Sequence, residues 1–397
     1  MKKQLVDGIV YCSRCCMPET QEGIAFDEMG HCTACQSSEQ KMHISWIERE
    51  KLLRKILEEA KQKAGDNYDC IIPVSGGKDS AYQVYLLTQV YGMKPLAVTF
   101  NHNWQSKTGW YNLQNMLESF NIDHIMLTPN RDFVNKIAKR SLEQIGDPCW
   151  HCHFGVGSFP LQIAVKFKIP LLIWGESVAE TSGRASYFSN NYAYDSDYFL
   201  KISAKKTTDM MRCAYISSKD LFPFELPTYT EMEQLGIRGI HIGDYIFYDE
   251  EKQTEFLKEH FGWKETEMEN AYKGYKSVEC IMAGLHDYTC YLKRGFGRAT
   301  CQACVDIRNG LMTRDEGLDI SKKDTFIPEA LDYFLKKTGM TKEEFYACMK
   351  NHRIEKIKNI ELQNNSKTHP NREKILPFVE QIINELSNLP DPREKND

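Results

Sequence analysis

Residues 68–87 read YDCIIPVSGGKDSAYQVYLL. An apolar run of strand character, Cys70–Val74, stops at a serine and two glycines, and an amphipathic stretch begins after Lys78 and Asp79. A strand that turns through glycines into a helix brings backbone N–H groups and the positive end of a helix against whatever lies above the turn. Gly76 and Gly77 let the chain approach an anion, Ser75 and Ser80 add hydroxyls, Lys78 offsets phosphate charge and Asp79 can reach Mg2+. The four residues that separate Gly from Gly-Lys in a Walker A loop are missing, so the loop is not that of an ordinary kinase or GTPase. A plain glycine turn between buried elements is the structural alternative.

The pattern continues outward in both directions. Short apolar runs at 95–100, 124–127 and 170–174 alternate with amphipathic stretches after Asp79 and at 109–120, 131–143 and 156–167. This rhythm predicts an α/β fold: an open, mainly parallel sheet with helices on both faces. Ligands of such sheets sit at the carboxyl ends of the strands. There the sequence places Ser75-Gly76-Gly77, Phe100-Asn101 and Gly175-Glu176. The stretch 45–64 predicts one linking helix, stopped at Gly65. Beyond Thr207 the rhythm is lost and the reading is helical, which divides the chain into 1–43, 44–207 and 208–397. No internal repeat or low-complexity tract is evident.

Composition narrows the function classes. The chain has 397 residues, 42% of them hydrophobic, and a formal net charge of −5. That balance gives no global basic field for nucleic acid. No stretch is apolar for long enough to span a membrane and the first residues do not read as a signal peptide, so a cytoplasmic protein is expected. Fourteen cysteines in a reducing compartment are then read as metal or catalytic sites before disulfides. Cys12-x2-Cys15 and Cys32-x2-Cys35 have the spacing of a structural Zn2+ ribbon, with two redox dithiols as the weaker alternative and Cys16 a spectator. Cys149-x2-Cys152 and Cys301-x2-Cys304 are expected to converge on a second metal, with His151 and His153 as alternates. A catalytic dithiol, an iron–sulfur site and simple buried thiols stay open.

The loop Ser75–Ser80 resembles that of the ATP-pyrophosphatase (PP-loop) superfamily. Together with YCSRCCMPET, FDEMGHCTAC, VTFNHNW, IWGES and LKRGFGRAT, in this order, it is similar to the bacterial N-acetyl sugar amidotransferases. The resemblance covers about three-quarters of the chain, from Tyr11 to Thr300. It implies a ligase that adenylates the acetamido oxygen of an N-acetyl sugar, expected to be nucleotide-linked, for surface polysaccharides. Ammonia from a separate glutaminase then gives the acetamidino sugar, AMP and pyrophosphate. The implied cofactors are ATP, Mg2+ and Zn2+. Ser75, Gly76, Gly77, Lys78, Asp79 and Ser80 would hold phosphate and metal, Phe100 and Asn101 the nucleoside, and Gly175 and Glu176 further nucleotide or metal contacts. A helix cap is an equal reading of Glu176. Lys293, Arg294 and Arg298 would clamp pyrophosphate, against a solvated basic turn. Lys78, Asp79, Lys293 and Arg298 are the catalytic candidates. His241 and His286 are weaker candidates for a general base, and the aromatic stretch 185–199 for stacking on a sugar or uridine ring. Two other readings remain: a tRNA sulfurtransferase using Cys149/Cys152 or Cys301/Cys304, and a zinc-ribbon adaptor that senses nucleotide without turnover.

Overall fold

The run Cys70–Pro73 forms β1, with Cys70 and Ile72 facing one side of a sheet and Ile71 the other, as the two-residue period of a strand requires. In the computed structural model, residues 5–177, 179, 187, 207–366 and 375–388 are described. The aromatic stretch 185–199 therefore lies outside the described residues, except Tyr187.

Five parallel strands make the main sheet in the order β3-β2-β1-β4-β5. They are β1, β2 (Pro95–Phe100), β3 (His124–Leu127), β4 (Leu171–Trp174) and β5 (Arg238–His241). The order reverses between β1 and β4, so the crevice above their carboxyl ends is the topological switch point. The loops after these two strands are Ser75–Gly77 and Gly175–Ser177.

The helices that follow are α1 (Thr33–Lys41), α2 (Trp46–Ala64), α3 (Lys78–Tyr85), α4 (Lys107–Phe120), α5 (Arg131–Ile145), α6 (Trp150–Phe167), α7 (Glu250–Phe261), α8 (Ala283–Arg294) and α9 (Arg298–Arg308). One face of the sheet is covered by α2, α3, α4 and α7 through Leu53, Val84, Leu113 and Leu257. The other packs on α5 and α6 through Ile137, Trp150 and Phe154. Two differences from the sequence reading stand out. The helix expected to open at 156 begins six residues earlier, at Trp150, and the sheet gains a fifth strand beyond Thr207. That strand, RGIH, has an exposed arginine and a glycine, so it lacks the apolar run that marks the other four-residue strands.

The cysteine-rich N-terminus shares its core with the C-terminal helices. Cys12, Cys15, Cys32 and Cys35 pack with Phe296, Ala303, Cys304 and Leu318, and Arg314 donates through Nε to the carbonyls of Cys12 at 3.0 Å and Cys15 at 2.9 Å. Among the described residues, no helix is long and apolar enough to cross a membrane.

Candidate active site

The backbone leaves β1 through Gly76, whose φ is +91°, a left-handed conformation that L side chains rarely adopt. A β-carbon on Gly76 would run into the Gly109 carbonyl, and one on Gly109 into Glu279. The loop, the start of α4 and the segment carrying Glu279 are thus stacked backbone against backbone. Trp263 fixes the turn by donating from Nε1 to the Gly76 carbonyl at 3.1 Å. Gly77 then caps α3, and the Ser80 hydroxyl donates back to the Gly77 carbonyl at 3.0 Å.

Lys78, only 3% exposed, lies at the centre of a charged cluster. Its ammonium donates to both oxygens of Asp79 at 2.8 and 2.6 Å and lies 3.5 Å from Glu176 and 3.7 Å from Glu250. Lys276 pairs with Glu250 and approaches Glu176 at 3.9 Å. The Tyr248 hydroxyl donates to Asp79 Oδ1 at 2.8 Å. Two cations thus face three carboxylates. Burial pushes the Asp79 carboxyl up, but Lys78 and Lys276 outweigh it and hold the group down to about 2. In Glu176 burial dominates, reinforced by Asp79, and the carboxyl rises to about 7. Burial opposes the charge on Lys78, yet Asp79, Glu250 and Glu176 keep it firmly protonated.

Two cavities adjoin this cluster. The larger, about 390 Å³, is charged and runs from Ser75, Gly77–Ser80 and Glu176 to Asp287, Arg294 and Arg298. The smaller, about 310 Å³, is mainly apolar and lies over the strand ends, between Val74, Phe100, Trp104, Val156 and Trp174. Ser75, Ser277, Glu279, His286 and Arg298 border both. Burial raises the Glu279 carboxyl above its ordinary range.

Of the residues singled out from sequence, Ser75, Gly77, Lys78, Asp79, Ser80, Glu176 and Arg298 meet on the charged cavity, and Phe100 lines the apolar one. Gly175 lies beneath, where a β-carbon would stand 3.3 Å from Asp79 Cβ. Asn101 borders neither cavity. Its Nδ2 donates to Thr128 Oγ1 at 3.2 Å and its Oδ1 accepts from the Asn103 N–H at 2.9 Å, so the side chain shapes its own turn. Lys293 also departs from expectation. Its ammonium donates to the Ile145 carbonyl at 2.9 Å, drawn to the negative carboxyl end of α5, while its neighbour Arg294 takes the place on the cavity. Arg298 is held by Asp287, with Nε 2.7 Å from Oδ2. His286 borders both cavities, whereas His241 turns its Nδ1 to the Glu176 carbonyl at 3.0 Å. Glu250, Tyr248, Lys276 and Glu279 were not legible as site residues, because tertiary packing alone brings them to the loop.

The N-terminal quartet is a closed metal-type site. The sulfurs of Cys12 and Cys35, and of Cys15 and Cys32, are 3.8 Å apart, close to the edge of about 3.8 Å that bonds of ~2.3 Å give a tetrahedron. All four residues are fully buried, and Cys12 Sγ accepts from the Cys32 N–H at 3.2 Å. The downstream cysteines do not form the expected second quartet. Cys149 and Cys152 face the apolar cavity and Cys301 the charged one, whereas Cys304, one helical turn on, points into the N-terminal core, 3.4 Å from the sulfur of Cys16. The i,i+3 spacing on α9 sends its two thiols to different surroundings, and Cys16 gains a partner.

Residues 267–369 match the family model described as "LPS biosynthesis protein WbpG-like, C-terminal domain". This stretch supplies Glu279, His286, Asp287 and Arg298 to the cavity walls. The uncharacterized protein MJ1599 of Methanocaldococcus jannaschii is 22% identical over 280 residues, 70% of this chain and 81% of that protein. The NMN synthetase of Francisella tularensis superposes with a TM-score of 0.28 at 14% identity, over 54% of this chain and 87% of that one. Residues 267–369 thus resemble a WbpG-like C-terminal domain and pack against a parallel sheet whose switch point carries the Ser75–Ser80 loop.

Proposed function

We propose that the chain is an ATP-dependent amidotransferase of LPS synthesis that converts the acetamido group of an N-acetyl sugar, carried on a nucleotide, to an acetamidino group. The observation that carries this reading is the placement of the Ser75–Ser80 loop between an apolar and a charged cavity that share one seam. The apolar cavity suits adenine and ribose, with Phe100 and Trp174 as walls. The phosphates then lie over the loop, where the N–H groups opening α3, the hydroxyls of Ser75 and Ser80 and the Lys78 ammonium meet them. The sugar is assigned to the charged cavity, towards Arg294 and Arg298. Asp79, Glu176 and Glu250 stand around Lys78 beside the loop, where a carboxylate such as Asp79 could meet a hard ion such as Mg2+ arriving with the phosphates. Bound there, the ion would neutralise and orient phosphate oxygens.

An amide oxygen is a poor leaving group. Attack by that oxygen on the α-phosphorus forms an O–P bond, breaks the bond to pyrophosphate and leaves an O-adenylated imidate. Ammonia then forms a C–N bond and AMP departs with the former carbonyl oxygen. Glu279, at the seam, is placed to take the proton that the incoming nitrogen releases. We assign the N-terminal quartet to Zn2+, residues 1–43 to a zinc-ribbon module, 44–207 to the PP-loop core and 208–397 to the region that completes the site. Ammonia is assigned to a partner glutaminase.

The test is pyrophosphate release by the purified chain with ATP, Mg2+ and ammonium salts, with a panel of nucleotide-linked N-acetyl sugars set against bulk tRNA. A sugar product about one mass unit lighter, oxygen exchanged for NH, supports the reading. Release that requires tRNA, with sulfur in the product, would replace it with sulfurtransfer. ATP binding without pyrophosphate release under any of these conditions would make the chain a sensor.

A further inference from the structure

We infer that Asp147, Cys149 and His286 form a second metal site, for a divalent transition ion of the Zn2+ class, with one coordination position open to the cavities. Among the described residues, only this trio and the N-terminal quartet bring three or more His, Cys, Asp or Glu ligand atoms within 4.8 Å of one another. The donors come from two separated segments. Asp147 and Cys149 stand just before α6, with Cys149 as its N-cap, and His286 lies in α8.

The spacing is that of ligands around an ion rather than of hydrogen-bonded partners. His286 Nδ1 lies 3.6 Å from Asp147 Oδ1, too far for a hydrogen bond. It is close to the edge of about 3.4 Å expected of a tetrahedron with N and O arms of about 2.0–2.1 Å. The same Nδ1 is buried and has no hydrogen-bond partner, an unmet acceptor or donor that a metal would satisfy. The outer contacts also fit. Asp147 Oδ1 accepts the Cys149 N–H at 2.8 Å, which fixes the carboxylate. On the far side of the imidazole, Nε2 lies 3.8 Å from Cys290 Sγ, so a proton kept on Nε2 leaves Nδ1 free to ligate.

One oxygen, one sulfur and one nitrogen donor suit a borderline ion better than Mg2+ or Ca2+. Three protein ligands with a vacant fourth position make an open site, unlike the closed quartet. Cys149 borders the apolar cavity and His286 borders both, so the vacant position faces the place where the two meet. An ion there would hold a small neutral ligand, water or ammonia, from the cavity. This inference concerns metal content and stands whether or not the chain modifies a sugar.

The test uses the full chain, purified with metal and analysed for metal content by mass spectrometry, with Co2+ substitution as the optical probe. The wild type should bind about two ions per chain. Cys149→Ser and His286→Asn should each lower this to about one, while the strong thiolate-to-Co2+ absorption of the quartet persists and shows that the N-terminal site is intact. Should both variants misfold, adding Co2+ stepwise to the metal-free wild type still decides the matter. Two spectrally distinct sites, one with weak single-thiolate absorption, support the inference, and saturation at one ion overturns it. A count of one ion with Cys290 alkylated rapidly at neutral pH, lost in His286→Asn, would also overturn it and make His286 the base of a cysteine nucleophile instead.

Discussion

Gly76 is pressed against Gly109: no β-carbon fits between the phosphate-type loop and the carbonyl at the start of α4. Gly76→Ala therefore meets two penalties, a left-handed backbone costing about 1–2 kcal/mol and a backbone collision. Gly310 provides the control, with a φ of +75° and open space around its α-carbon. We expect Gly310→Ala to lose about 1 kcal/mol and no activity, and Gly76→Ala to lose distinctly more stability and all ATP-dependent pyrophosphate release. Denaturant titrations of the two variants check this. Equal losses would mean that the loop is not clamped.

Lys78→Met removes one of two cations facing Asp79, Glu176 and Glu250. Pyrophosphate release should fall by at least about 100-fold, the scale of losing a charge stabiliser in a site. The remaining carboxylates would repel one another and lower stability. Adding Glu176→Gln to that variant should recover stability while leaving the chemistry dead. A double variant no more stable than Lys78→Met would show that the carboxylates are screened by solvent.

His102 makes stability depend on pH. It is buried, its Nδ1 accepts the Trp104 N–H at 3.2 Å, and burial, with help from the charge of His153, depresses it to about 4. In the unfolded chain the same imidazole titrates near 6.5. Between these values the unfolded state binds more protons, so the contribution of His102 is fully present above about 6.5 and is lost as the pH falls towards about 4. Thermal melts across this window should show the midpoint falling with acid, less steeply for His102→Asn, whose side-chain oxygen can still accept the Trp104 N–H. Parallel slopes would assign the acid sensitivity to other groups.

The N-terminal quartet should report on the distant cavity. Its core includes Phe296 and Ala303, which flank the start of α9, where Arg298 reaches the charged cavity. Treatment with a chelator, or Cys32→Ser, is expected to open residues 5–43 to trypsin and to slow pyrophosphate release in the same titration. Proteolysis without loss of rate would separate the two.

What the sequence revealed and what it hid follows from how local each signal is. The Ser75–Ser80 loop and the Cys12–Cys35 quartet are written in contiguous residues, because a strand, a turn and a helix start, or two metal knuckles, need only near neighbours. The rest of the charged cluster is not. Glu250 pairs with Lys78 from α7 and Lys276 pairs with Glu250 from the segment before α8, and nothing in their own neighbourhoods marks them. The same limit explains Cys301 and Cys304, whose spacing resembles a metal pair but whose helix turns one thiol to the cavity and the other to Cys16. Lys293 and Arg294 are neighbours in a basic stretch, and only the helix geometry decides which of them meets the site.

Asp324 shows how a residue with no motif can govern the site. It is buried, and its carboxylate accepts the N–H groups of Gly297, Ala299 and Thr300 at 2.7, 2.8 and 3.2 Å and the Thr300 hydroxyl at 2.6 Å. It thereby satisfies the open end of α9, next to Arg298. Asp324→Ala would strand these donors without water, at a cost of about 2–4 kcal/mol, and free Arg298 from its fixed approach to the cavity. Asp324→Asn keeps an acceptor and should lose less. We expect both to lower the melting temperature, alanine more than asparagine, and to raise the KM for ATP or sugar in the same order. Stability lost with KM unchanged would mean that Asp287 alone positions Arg298.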